Sequence, residues 1–185
     1  MRCLVQYTLA VDDYVQGRDE AQTLSILADE RNYVQHSILC LIPSPGSAEA
    51  EEETALYSLC KLAMLVYSMI IVFPLPAVGA PFPQLATQIK QQLLHPNIHT
   101  RWKEAAEFFF WVTAMGAIAS IGTKERHWFI ASLDRLTHRL KIYDWLHMRE
   151  HLSVFLWFAS TNDVDGLDLW KEIEASSPFH VPDQY

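Results

Sequence analysis

The sequence predicts an all-α fold, a single helical domain of about six to seven helices that is part of a larger helical body. Apolar residues recur at spacings of three and four along most of the chain, which is typical of helices with one buried face. No segment alternates apolar and polar residues as a half-buried strand does. Charged residues make up 19% of the chain, below the usual share of about 25%, so further helices are expected to cover part of the surface.

The first predicted helix covers residues 21–42. Its apolar stripe is interrupted by Arg31, whose aliphatic stem can still lie along apolar surface. The preceding residues 1–15 are moderately apolar and receive no assigned element, and a polar break at residues 16–20 separates them from the helix.

The second predicted helix covers residues 49–73. It begins with glutamates, which suit the positive end of the helix dipole, and Pro74 ends it. The prolines in residues 74–83 predict an extended connector that packs on the core through Leu75, Val78 and Phe82. A shorter helix over residues 83–94 is predicted by an apolar face of Leu85, Ile89 and Leu93.

An uncharged run over residues 108–121 predicts a helix that is buried on all sides at the centre of the domain. The run is shorter than the roughly 20 apolar residues that a membrane span needs. Gly116 lowers helix stability by about 1 kcal/mol relative to Ala, so we expect it where another helix packs closely. Gly122 is expected in a left-handed conformation at the end of this helix, and Thr123 is expected to cap the next one.

The remaining segments predict three more helical stretches and a tail. Phe129, Leu133, Leu136 and Leu140 form one amphipathic stripe, and residues 143–158 repeat the pattern. The polar residues 160–166 predict a turn before a short helix over residues 167–174. Residues 1–175 are therefore assigned to the helical domain, and residues 176–185, which contain two prolines, to a loose C-terminal tail.

His147, Glu150 and His151 match the spacing H-x-x-E-H of inverted zinc proteases, in which two histidines on one helix face bind zinc and the glutamate acts as base. A helical metal-dependent hydrolase that uses these three residues is one alternative function. The apolar stripe of this segment lies on the opposite side of the helix, so the three residues are expected on a solvated face. The sequence therefore favours no metal site here.

Asp163, Asp165, Gly166 and Glu172 resemble a calcium-binding loop of the type D-x-[DN]-x-[DN]-G-x5-E. The first position of that loop is occupied by Thr161, where calcium binding needs an acidic residue. A polar turn between helices is therefore the preferred interpretation. No catalytic, cofactor-binding or metal-binding residue is assigned, no cofactor is predicted, and the chain is expected not to be an enzyme.

Two further alternatives concern membranes and nucleic acids. A membrane-associated protein that inserts the stretch from Leu62 to Phe82 is one alternative function, but prolines interrupt that stretch, so no membrane partner is predicted. The net charge is −8, with 14 basic against 22 acidic residues, so direct DNA binding is not expected. The three cysteines, Cys3, Cys40 and Cys60, are too scattered for a metal cluster and are expected to be reduced and mostly buried.

Several segments in order resemble the C-terminal part of the fungal-specific transcription factor domain found in Zn2Cys6 zinc-cluster regulators. They are residues 30–36 (ERNYVQH), residues 65–76 (LVYSMIIVFPLP), residues 110–129 from Phe110-Trp111 to the Gly-Thr-x-Glu-Arg-x-Trp-Phe run, and residues 165–170 (DGLDLW). The resemblance covers most of the chain. It implies an all-helical regulatory domain over residues 1–175 that contacts protein partners or a small-molecule effector. It also implies a nuclear location, with the cytoplasm as the default otherwise.

The zinc cluster of such regulators needs six closely spaced cysteines, and this chain has three scattered ones. The resemblance therefore implies a regulatory or interaction module without its own DNA-binding zinc cluster, as a fragment or a stand-alone form of the regulatory half.

Overall fold

The computed structural model describes residues 2–40, 48–71, 81–99 and 105–176, and within these ranges it contains helices and connections but no strand. The all-α prediction and the single helical domain are confirmed. The helices are α1 (Arg2–Val15), α2 (Leu24–Leu39), α3 (Ala48–Ile71), α4 (Phe82–Leu93), α5 (Pro96–His99), α6 (Ala106–Ala119), α7 (Arg126–Leu140), α8 (Trp145–Ser153) and α9 (Ala159–Ser176).

Helix α6 is the centre of the domain, as its uncharged sequence predicts. Every residue from Phe109 to Ala119 is buried, so the helix has no solvent-facing side over three turns. Helices α3, α4, α7, α8 and α9 all pack against it. The buried Trp111 donates its indole N–H to the carbonyl of Leu156 at 2.8 Å, which satisfies the polar atom of a large side chain in this apolar core.

Gly116 lies where α6 and α7 cross closely. A Cβ atom at this position would lie 2.3 Å from Cε1 of Phe129, the buried aromatic side chain of α7. Because ordinary carbon contacts are 3.4–4 Å, only a glycine fits beneath this ring. The predicted close packing at Gly116 is confirmed.

In the turn between α6 and α7, the predicted conformation of Gly122 is confirmed and the predicted cap by Thr123 is wrong. Gly122 has a φ of +74°, the left-handed conformation that a glycine adopts without strain. Thr123 does not cap α7, because its hydroxyl donates to the carbonyl of Ser120 at 2.9 Å and so closes the end of α6. Glu125 is the N-cap residue of α7, without a side-chain cap bond. A threonine just after a helix can satisfy the last carbonyls of that helix as readily as the first N–H groups of the next.

Helix α1 was not assigned from the sequence. It forms because Leu4, Tyr7, Thr8 and Val11 are spaced by three and four residues and give it one buried face. Gly17, with a φ of +65°, reverses the chain after α1. The predicted helix over residues 21–42 is α2, which begins three residues later, and residues 41–42 lie outside the described residues.

The predicted boundaries near the C-terminal end are wrong. The helix expected over residues 143–158 ends at Ser153, and the turn expected over residues 160–166 is the first part of α9. Two polar side chains of that run stabilise the start of α9. Asn162 accepts the backbone N–H of Phe158, just before the helix, at 2.9 Å, and Asp163 accepts the indole N–H of Trp157 at 2.9 Å.

Gly166 is a helical residue of α9 and not part of a turn. A Cβ atom there would lie 2.4 Å from the ring of Trp157 and 2.5 Å from the ring of Trp145. The two indoles pack edge to face, with their centroids 6.2 Å apart. The missing side chain therefore makes room for a tryptophan pair that joins α8 to α9.

Two predicted segments lie mostly outside the described residues. They are the proline-rich connector, with Leu75 and Val78, and the tail, of which only Ser176 is described and belongs to α9. Phe82, the third connector residue, begins α4 and packs half-buried against the core. Among the helices that the structure describes, none has the length and apolar character needed to cross a membrane.

Candidate functional site

The two histidines of the H-x-x-E-H motif each face a different carboxylate. Nδ1 of His147 lies 3.2 Å from Asp144 in an exposed pair, as predicted for a solvated face. His151 departs from that prediction, because its side chain is only 25% exposed and Nδ1 lies 3.5 Å from Glu107 of α6. Position 151 is one turn after a buried methionine of α8, at the edge of the face that packs on α6.

Two acidic residues of the calcium-like motif, Asp163 and Glu172, are held by other groups of the same chain. Asp163 accepts the indole of Trp157 and lies 3.2 Å from Nε of Arg149. Glu172 is paired with Arg126 from α7. These residues lie along one helix and not in a loop, so they do not surround a common point. Within the described ranges, no group of three or more His, Cys, Asp or Glu side chains is arranged to hold a metal ion.

Arg126 belongs to the G-T-x-E-R segment and links three helices. Its Nη2 and Nε atoms donate to the two carboxylate oxygens of Glu172 at 2.7 and 3.0 Å, and its Nη1 atom donates to the carbonyl of Ala117. Its side chain is 13% exposed. Burial raises the pKa of the nearby Asp165 carboxyl, the charge of Asp168 adds to this, and the charge of Arg126 opposes it.

A cavity of about 360 Å³ lies between α1 and α2, and none of its lining residues belongs to these motifs. Residues of α1 at helical spacing form one wall and a stripe of α2 forms the other. The lining residues are Cys3, Gln6, Tyr7 and Ala10 from α1, Gln22 from the connection, and Glu30, Tyr33 and Val34 from α2.

Two polar atoms of the lining residues are buried without a hydrogen-bond partner. They are the hydroxyl oxygen of Tyr7, a residue that is 2% exposed, and the amide oxygen Oε1 of Gln22. The amide nitrogen of Gln22 donates to the carboxylate of Glu30 at 3.2 Å. Buried polar atoms usually have a partner, and each one that lacks a partner costs about 1–3 kcal/mol. A bound ligand would supply these missing partners.

The side chains that line the cavity include an acidic group but no basic group. The one acidic side chain of the lining is that of Glu30, and Tyr33 is 67% exposed at the solvent side. Burial raises the pKa of the Tyr7 hydroxyl far above its ordinary value, while the charge of Arg31 opposes and that of Glu30 adds to the shift. Tyr7 is therefore neutral at physiological pH and available as a hydrogen-bond donor or acceptor.

No sequence pattern indicates this cavity directly. Glu30, Tyr33 and Val34 belong to the segment that carries the resemblance, but four of the lining residues lie on α1, to which no helix was assigned. The available signal was the spacing of Cys3, Gln6, Tyr7 and Ala10, which places them on one face of a helix. The cysteines carry free thiols, and Cys40 is exposed, contrary to the expectation for a mostly buried set.

Comparison of the chain with known protein families, with curated proteins and with solved structures found no match.

Proposed function

We propose that the chain is a helical regulatory and interaction module that responds to a small-molecule effector or a protein partner and does not bind DNA directly. The observation that supports it is the cavity between α1 and α2 with its two unpartnered polar atoms. The resemblance to the regulatory domain of zinc-cluster transcription regulators supports the same class of function, and with it a nuclear location.

The position of the cavity suits regulation. Helix α1 packs mainly on α2 and α3 and takes little part in the packing around α6. A ligand between α1 and α2 would join the two helices and favour the arrangement in which both contact it. The side chains of Gln22 and Glu30 in the lining are joined by an amide–carboxylate hydrogen bond, which activates no nucleophile. The lining residues therefore suit the binding of an effector better than they suit catalysis.

The charge distribution supports the proposed absence of direct DNA binding. The densest basic group is Lys124, Arg126, Arg135, Arg139 and Lys141. Arg126 is engaged by Glu172 and by a backbone carbonyl, so it is not free for a phosphate. Duplex binding draws most of its affinity from basic side chains placed against phosphates, and this chain carries an excess of acidic ones.

A reporter assay tests the regulatory role. The full chain is fused to an unrelated DNA-binding domain upstream of a reporter gene, and transcription is expected to differ from that with the DNA-binding domain alone. Ala10→Phe, which fills the cavity, should change the response, whereas Leu9→Phe on an exposed position of the same helix should not. Unchanged transcription with a folded, expressed fusion would refute the proposal.

Two further measurements separate the alternatives. The chain alone should give no sequence-selective retardation in an electrophoretic mobility shift at near-physiological salt. Metal analysis of the purified chain distinguishes a hydrolase, since stoichiometric zinc that is lost on replacing His147 and His151 by Ala would favour the metal-dependent alternative.

A further inference from the structure

The α1–α2 cavity offers more hydrogen-bond acceptors than donors. Gln22 has an unpartnered acceptor, Oε1, while one of the two N–H groups of its amide already donates to Glu30. The carboxylate of Glu30 can accept several hydrogen bonds, of which the one from Gln22 is made within the chain. The hydroxyl of Tyr7 can accept or donate. A ligand that satisfies this set must bring N–H or O–H donors.

The charge at the cavity narrows the class of ligand further. An anionic ligand would bring a second negative charge against Glu30, which lies in a half-buried position where water screens charges weakly. Arg31 does not line the cavity, and its Nε atom donates to Asn32 at 3.2 Å. A cation is attracted by Glu30 and can also lie over the ring of Tyr33, since cations within about 6 Å of an aromatic ring are stabilised.

We propose that the cavity binds a small organic cation with N–H donors, of the amine or guanidine class. This inference rests on the proposed effector-responsive function and names the chemistry of the effector. The ammonium or guanidinium group lies between Glu30 and Oε1 of Gln22 and donates to both, while the ligand's carbon chain contacts Ala10 and Val34. The volume of about 360 Å³ is near the lower end for ligand pockets, so the ligand is a short amine and not a nucleotide.

Isothermal titration calorimetry on the full 185-residue chain at about 150 mM salt tests the proposal with four probes of similar length. Two are cations, 1,4-diaminobutane and agmatine, and two are matched controls, the neutral 1,4-butanediol and the dianion succinate. The cations are expected to bind with one site per chain, and the diol and succinate are not.

Two charge-neutralising variants separate the site from the general attraction of a chain with net charge −8. Glu30→Gln should weaken diamine binding by about tenfold or more, because a hydrogen bond to a charged group is lost. Asp29→Asn removes the same charge at the adjacent exposed position outside the lining and should leave binding unchanged. Tyr7→Phe gives an independent result, since it should raise the melting temperature of the free chain and weaken diamine binding at the same time.

Equal weakening in Glu30→Gln and Asp29→Asn, or more than one bound diamine per chain, would show a general charge effect and overturn the proposal. Binding of succinate or the diol in place of the amines would overturn the cation class but leave an effector cavity. If no probe binds, the cation proposal fails, and the reporter assay then decides separately whether the proposed regulatory function stands.

Discussion

Replacing Gly116 by Ala places one methyl group against the ring of Phe129. The added Cβ would lie 2.3 and 2.6 Å from Cε1 and Cζ of that ring, whereas ordinary contacts are 3.4–4 Å. The ring must therefore retreat by about 1 Å. It is fully buried, and α6 is enclosed on every side at this level, so the displacement passes to neighbouring core side chains.

Two opposing effects set the magnitude. Overpacking a well-packed core costs about 1–3 kcal/mol, and the short distances at Gly116 favour the upper part of that range. Alanine stabilises a helix interior by about 1 kcal/mol relative to glycine, which offsets part of the cost. We expect a net loss of about 2 kcal/mol in the free energy of unfolding, or roughly 4–8 °C in melting temperature for a chain of this size.

Urea unfolding of the full chain measures this loss, and a double-mutant cycle assigns it to the contact. Phe129→Leu removes the Cε and Cζ atoms that Cβ would meet. In that background Gly116→Ala should be neutral or stabilising by up to about 1 kcal/mol, because the helix preference remains and the clash is gone. A single variant as stable as the wild type, or strictly additive effects in the cycle, would refute the close packing of α6 on α7.

Three further predictions concern the packing around α9. Arg126→Lys should lower the free energy of unfolding by about 1–3 kcal/mol, because lysine cannot form the bidentate hydrogen bonds that Arg126 makes to Glu172. Lys171→Met is the control, because it removes an exposed ion pair and should change the free energy of unfolding by less than about 0.5 kcal/mol. Urea unfolding of both variants measures the two changes. Gly166→Ala should cost about 1–3 kcal/mol and reduce the near-ultraviolet circular dichroism of the tryptophan pair, and an unchanged spectrum and stability would contradict the packing. Burial raises the pKa of Asp165, so the folded chain binds that proton more tightly, and the free energy of unfolding falls as the pH rises from the ordinary aspartate pKa near 4 through the raised value. Asp165→Asn should therefore raise the melting temperature at pH 7 and lose this advantage below about pH 4; a lower melting temperature at pH 7 would show that the carboxylate stabilises the fold.

The parts of the fold that depend on local pattern were predictable. An uncharged run predicts the central helix. One glycine inside that run, Gly116, predicts the close helix contact, and one just after it, Gly122, predicts the left-handed residue at its end. The amphipathic stripe of α4 was equally clear, because Leu85, Ile89 and Leu93 are all buried. In α4, the spacing that favours a helix is also the spacing that buries one face of it.

The errors arose where tertiary contacts override local preference. A run rich in Ser, Asn and Asp is typical of a turn, but Asn162 and Asp163 find partners in Phe158 and Trp157, and the run becomes the first part of α9. No glycine or proline marks the end of α8, so nothing in the sequence indicates that the helix ends at Ser153.

The cavity could not be predicted because it is a property of two facing helices. Its polar residues are ordinary in isolation, and only the packing of α1 against α2 brings Tyr7 to the same cavity as Gln22 and Glu30 and buries its hydroxyl without a partner. The H-x-x-E-H spacing was visible in the sequence, but the surroundings of its histidines were not. His151 faces Glu107 only because α8 packs on α6.

The tryptophan pair over Gly166 also constrains how this sequence can change over time. Val164, Leu167 and Asp168 are exposed, so many residue types can occupy these positions without disturbing the core. At Gly166, between them, every other residue lowers stability while both indoles remain, because even the smallest side chain meets both rings. Among descendants of this sequence, these exposed positions should therefore diverge around a glycine that stays fixed, and a change of that glycine should appear mainly together with a smaller residue in place of Trp145 or Trp157.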